Sequence, residues 1–475
     1  MILSSFEYLL FFPIVFLLYW FLFNKTAKLQ NLLLIISSLV FYGLWDVRFL
    51  VLLLITAFST FYIGKLIDKE NLSSRNRKSL LIGAIILNIG ILFYYKYFNF
   101  FIDTVYSTIY IFNNNFIGKS TLNILLPVGI SFYTFSALSY TIDVYMKKVR
   151  ATSDLLAYLA YVTFFPSILS GPISRATQQL PQYFEKRTFD YNYAITAIKL
   201  ILWGVFMKTC IADNVSIYVD SVYNNLEQHN GTTLYIAAIL YSIQIYADFA
   251  GYSLIAIGSG KLLGINLQTN FIRPYFSKSV TEFWRKWHIS LTTWFRDYIY
   301  FPLGGNRVSK LRWILNTMVV FILSGLWHGA AWTFIIWGTL HGLMMVIERL
   351  IYGNKLKNIS DKLTFTNVIR IITTFNIVTF AWIFFRINSL SDALYIIKEI
   401  FSNIGTPFID ISTLLVSFMG IIIMTMRDAV HEWNIPIHLL HNKNTIIRYT
   451  TCILLICYIL LFGALSGGSF IYFQF

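Results

Sequence analysis

Long apolar runs separated by short polar stretches dominate the chain, at residues 6–23, 29–45, 49–64, 80–101, 124–146, 155–173, 193–211, 232–258, 313–347, 366–385, 411–426 and 446–466. The first, FEYLLFFPIVFLLYWFLF, is continuously apolar, and so are the others. That pattern predicts helices rather than the ten-residue alternating strands of a membrane barrel. A bilayer core of roughly 30 Å takes about 20 apolar residues per helix, and backbone groups at that depth must be satisfied within the protein. Residues 313–347 would extend about 50 Å as one helix, more than the bilayer is thick. Gly325 and Gly329, in SGLWHG near the middle of that run, predict a helix break or tight hairpin bordering a protein-lined cavity. The expected fold is all-α: a polytopic integral membrane protein of roughly 11–13 membrane helices, some short, re-entrant or interfacial.

Composition agrees. The chain is 57% hydrophobic and 12% charged, where a soluble protein carries about a quarter charged residues. The first run has neither a basic start nor a small-residue cleavage site and reads as a retained helix, not a secretory signal. No soluble domain, long linker or repeat interrupts residues 1–475, which read as one integral domain with its core segment at 271–348. Cys210, Cys452 and Cys457 have no metal-ligand spacing and read as core packing.

The net charge of +15 is mostly explained by loop asymmetry. Lys25 and Lys28, then Lys65, Lys69, Arg75, Arg77 and Lys78, then Lys147, Lys148 and Arg150 fall in alternate connections; the intervening ones carry Arg48 and Lys119. By the positive-inside rule the N-terminus is extracytoplasmic and the basic loops are cytoplasmic, with lipids, not nucleic acid, as the partner. The outer loop with asparagines at 113–115 is too short to grip a long glycan alone.

One basic cluster goes further. Residues 271–312, FIRPYFSKSVTEFWRKWHISLTTWFRDYIYFPLGGNRVSKLR, interleave Arg273, Lys278, Arg285, Lys286, Arg296, Arg307, Lys310 and Arg312 with Trp284, Trp287 and Trp294. A helix starting near Ser279 or Thr281 would set Trp284, Trp287 and His288 on adjacent rows, with Glu282 paired to Lys286. Two readings fit: an interfacial helix holding anionic lipid, or a cytosolic vestibule whose potential attracts an anionic donor. Charge alone does not separate them.

His328 stands between Trp327 and Gly329 in a strongly apolar stretch, where an intramembrane ionisable residue is a functional candidate. On one straight helix His341 would lie about 20 Å away and turned by roughly 220°, so only a break brings the two together. His341 is assigned a supporting, packing role. Arg175 in LSGPISRATQQLPQ reads as part of a polar loop, and His229, His431, His438 and His441 offer no metal site. The nucleophile elbow, phosphate loop and HExxH patterns are absent.

RPYFSKSVTEFWRKWHISLTTWFRDYIYFPLGGNR followed by SGLWHGAAWTFIIWGTLHG resembles the membrane-bound O-acyltransferase superfamily, in its branch of alginate and peptidoglycan O-acetyltransferase membrane subunits. MILSSFEYLLFFPIVFLLYW, LSGPISR and SGGSFIYFQF extend the resemblance nearly end to end. The resemblance implies helices around a central tunnel, with an acyl group taken from a cytosolic donor and delivered outside. The family's characteristic histidine falls on His328, its second on His288 in WHISL, and FRDY places Arg296 and Asp297 beside the latter.

The resemblance further implies an O-acetyltransferase of the bacterial inner membrane with acetyl-CoA as donor and no bound cofactor or metal. His328 would act as general base or transient acetyl carrier, and His288 would orient donor or acceptor. Arg273, Arg285, Lys286 and Arg307 would bind the donor's phosphates, and a separate extracytoplasmic acetyltransferase would receive the group. Abundant isoleucine, asparagine and lysine suggest an A+T-rich genome, which mildly favours peptidoglycan over alginate. Teichoic-acid D-alanylation, another protein- or lipid-directed acyltransferase, and a non-catalytic transporter or flippase built on a broken helix are the competing expectations.

Overall fold

The computed structural model describes residues 1–112, 121–353, 362–437, 439–464 and 470–471. The asparagines at 113–115, Lys119, His438 and most of SGGSFIYFQF lie outside the described residues. All regular structure among those described is helical. Among the described residues, eight helices are long and apolar enough to cross a membrane, and Phe6–Leu22 and Ala27–Gly43 are shorter apolar helices. The protein is a multi-pass membrane protein.

The centre is the helix Gly231–Leu262, 32 residues started by Asn230, whose side chain accepts from the Thr233 N–H. At 1.5 Å per residue it runs about 48 Å. No proline interrupts it, and most of its residues are buried. Tyr191–Val205 packs along it and continues through a π-helical stretch, Phe206–Ala212, into Asp213–Tyr223.

Charge inside this unit is paired: Lys208 Nζ lies 2.6 Å from Asp213 and 2.9 Å from Asp248. Asp248 also accepts from the Ile471 N–H at 2.8 Å. Phe470 stacks on Tyr252, so the C-terminal segment returns to the core.

Two expected spans are not simple crossings. Residues 155–173 form Leu155–Thr163 and then Phe165–Ile168, both buried in protein. The break is at Phe164, with ψ 107°; Pro166, with no N–H, could not continue the first helix's hydrogen bonding and sits at the start of the next, where that N–H is not needed, and the Phe165 N–H turns to Ser38 Oγ at 3.1 Å. In 124–146 only Ile130–Tyr145 is helical, begun at Gly129 with φ 76°. Of the cysteines, Cys210 packs in the core as expected, whereas Cys457 is exposed on an outward face of Thr445–Phe462.

Candidate active site

Residues 313–347 do break. Helix Lys310–His328 ends at the histidine, Gly329 and Ala331 are extended, and Trp332–Tyr352 returns. The break falls at Gly329; Gly325 stays helical and serves packing. A Cβ on Gly325 would strike the Phe334 carbonyl, and one on Gly338 the Phe321 carbonyl. Hydrogen in place of a side chain lets the two helices approach backbone to backbone.

The end of this helix is capped from another part of the chain. A π-helical bulge, Phe93–Tyr97, interrupts the long helix that starts at Ser74. It sets two consecutive residues against the last carbonyls. Tyr97 Oη donates to Leu326 O at 2.9 Å, and Lys96 Nζ donates to Trp327 O at 2.7 Å and His328 O at 3.0 Å. A cation suits the negative end of a helix dipole.

His288 comes from the segment 279–300. Ser279 caps Val280–Lys286, accepting from the Glu282 N–H at 3.0 Å. Lys286 pairs with Glu282 at 2.8 Å, as expected. The helix then stops, and His288 occupies the left-handed region at φ 42° before Ile289–Phe295 begins. Asn270 holds that turn: its carbonyl accepts from the Ile289 N–H at 2.9 Å and its side chain from the Ser290 N–H at 3.2 Å. His288 is therefore not on the same helix as Trp284. Trp284, Trp287 and Trp294 are all buried, which places these indoles inside the protein and not at the headgroup level of an interfacial helix.

Three histidines meet in one aromatic cluster. The rings of His288 and His328 lie 6.2 Å apart. Trp337 bridges the others, 5.1 Å from His328 and 5.0 Å from His341. Trp327 packs 4.9 Å from His328 and 5.8 Å from His288. His341 Nδ1 accepts from Trp284 Nε1 at 3.2 Å. The hairpin thus does what a straight helix forbids.

A cavity of about 400 Å³ opens beside this cluster, lined inside by Trp284, Phe321 and Ser324, the last a turn before His328. Three arginines, Arg285, Arg296 and Arg349, line it as well, and all are exposed. Arg349 was not singled out in the sequence; its guanidinium lies 4.6 Å from the Trp313 ring centroid. A separate cavity of about 40 Å³ is lined by Lys96, Gly129, Ser131, Trp327 and His328.

The other expected donor-binding residues sit elsewhere. Arg273 and Lys286 both pair with Glu432, at 2.8 and 2.7 Å. Arg273 lines a third cavity of about 310 Å³ with Arg427 and Asp428. Arg307 is exposed, next to Asn306 of the large cavity. Asp297 pairs with Arg296 at 2.7 Å and with Arg175. Burial alone would raise the Asp297 carboxyl, but the two arginines outweigh it and hold its pKa below the usual range. Arg175 is thus a buried ion-pair partner rather than part of a solvated loop.

Residues 42–390 match the sequence pattern of MBOAT, the membrane-bound O-acyltransferase family. The chain is 37% identical over 402 residues to the probable alginate O-acetylase AlgI of Pseudomonas aeruginosa, covering 85% of this chain and 75% of that protein. It is 33% identical over 419 residues to the peptidoglycan O-acetyltransferase of Helicobacter pylori, covering 82% and 77%. A teichoic acid D-alanyltransferase of Bacillus subtilis is 31% identical over 282 residues, covering 55% of this chain and 69% of that protein.

Proposed function

The chain belongs to the membrane-bound O-acyltransferase family, and from that premise we propose that it moves an acetyl group from a cytosolic thioester, acetyl-CoA, to an extracytoplasmic acceptor for O-acetylation of a cell-envelope polysaccharide. The observation that carries this reading is the meeting of His288 and His328 at the end of a capped helix, beside an arginine-lined cavity. Acyl transfer to a hydroxyl needs a base for the proton and a route for the donor. His328 is the base, or alternatively carries the acetyl transiently, and His288 orients a reactant against it. The apolar cluster keeps water from the thioester. Arg285, Arg296 and Arg349 meet the donor's phosphates at the cavity.

The relatives named for alginate and peptidoglycan support a polysaccharide acceptor. Peptidoglycan is preferred on the abundance of isoleucine, asparagine and lysine, which suggests an A+T-rich genome. A separate extracytoplasmic protein receives the group, and the membrane is the bacterial inner membrane; the alternation of basic loops supports an N-terminus outside. D-alanylation of teichoic acid is the second reading, favoured by the D-alanyltransferase relative.

Two measurements test the assignment. Purified His328→Ala should keep its thermal midpoint and lose release of free CoA on mixing with acetyl-CoA and acceptor; wild-type turnover would refute the role. Labelled acetyl- and D-alanyl-thioesters offered in parallel separate the two readings by which label is transferred. No transfer from either would point to a transporter.

A further inference from the structure

Resting on the acyl-transfer reading, we propose that Lys96 is a catalytic residue: its ammonium donates the hydrogen bond that stabilises the oxyanion formed on the thioester carbonyl at His328. An ammonium has three N–H donors. Two are taken by Trp327 O and His328 O, at 2.7 and 3.0 Å. Lys96 and His328 also line the same cavity of about 40 Å³, room for a few atoms where one water needs about 10–15 Å³. The third N–H therefore has a place to act within reach of the ring that takes the proton.

The step balances. The acceptor hydroxyl gives its proton to a His328 nitrogen while its oxygen bonds the thioester carbonyl carbon. The C=O π pair moves onto oxygen, where Lys96 donates to it. Collapse restores C=O, breaks the C–S bond and releases the thiolate, which takes the proton back from the imidazolium. The two carbonyls fix the ammonium before the charge appears, which is the condition for a preorganised donor to act strongly.

Lys96→Met should lower kcat for thiol release by about 10²–10³-fold and leave KM for the acetyl thioester within about twofold. Lys96→Gln keeps an N–H₂ for the helix-end carbonyls but not the charge, so it should stay folded and fall at least about 100-fold in kcat. Tyr97→Phe removes only the bond to Leu326 O and serves as the purely structural control, expected within about threefold of wild type. Near-wild-type kcat in folded Lys96→Gln, or equal losses in Lys96→Gln and Tyr97→Phe, would overturn the proposal. If His328→Ala is inactive while Lys96→Gln turns over normally, this inference alone fails; if His328→Ala is active, the acyl-transfer assignment itself fails.

Discussion

His288 holds a left-handed backbone conformation, φ 42°, that residues other than glycine mostly avoid. The left-handed region costs a residue with a Cβ about 1–2 kcal/mol, and strain of this kind is retained where the surroundings over-determine it. Here Asn270 and the packed rings of Phe249 and Trp327 do so. His288→Gly should be more stable than His288→Ala by about 1 kcal/mol, the reverse of the usual order, as read by thermal midpoints in detergent. Both should lose acetyl transfer at least about 100-fold. His341 is a different case. It accepts one bond from Trp284 and stacks on Phe283, so His341→Phe should keep the aromatic packing and cost transfer less than about tenfold, with a lowered thermal midpoint.

At the scale of the element, the hairpin depends on two glycines. Gly338→Ala pushes a methyl group into the Phe321 carbonyl, and because backbone, not a flexible side chain, stands in the way, overpacking of about 1–3 kcal/mol is expected. The check is a fall in thermal midpoint together with loss of transfer, since shifting either helix moves His328. A second element, Arg296–Tyr300, is tied to the loop at Arg175 through Asp297. Its carboxyl pKa is depressed in the fold. The stabilisation is therefore fully present above the unfolded value of about 3.9 and is lost as pH falls through the lower folded value. Thermal midpoints should drop on acidification below about pH 4, and Asp297→Asn should lack that part of the drop.

At the scale of the molecule, the charges divide by what they face. Lys286 and Arg273 are bound by Glu432, so reversing Lys286 should chiefly destabilise the fold. Arg285 and Arg349 line the large cavity without a carboxylate partner among the described residues. Arg285→Glu and Arg349→Glu should each raise the KM for acetyl-CoA by about tenfold or more, and the wild-type KM should rise with salt. An unchanged KM in both would move the donor to another cavity.

Sequence alone determined the class of the molecule, because apolar run length against bilayer thickness leaves little choice. It also marked His328 and the need for a break at SGLWHG, since an over-long apolar run and an imidazole within it are local anomalies visible residue by residue; His288 was singled out only by the resemblance of WHISL to the family motif. It did not reveal Lys96, Asn270 or Arg349. Lys96 was a lone cation inside an apolar run, and only a π-bulge brings it to the end of a helix far along the chain. Nor could it sort the arginines of 271–312, which look alike in sequence until Glu432 claims some and leaves others at a cavity. Periodicity and hydropathy are sums over neighbours in the chain, whereas a site is made of neighbours in space; the tertiary structure decided which charges pair within the fold and which line an open cavity.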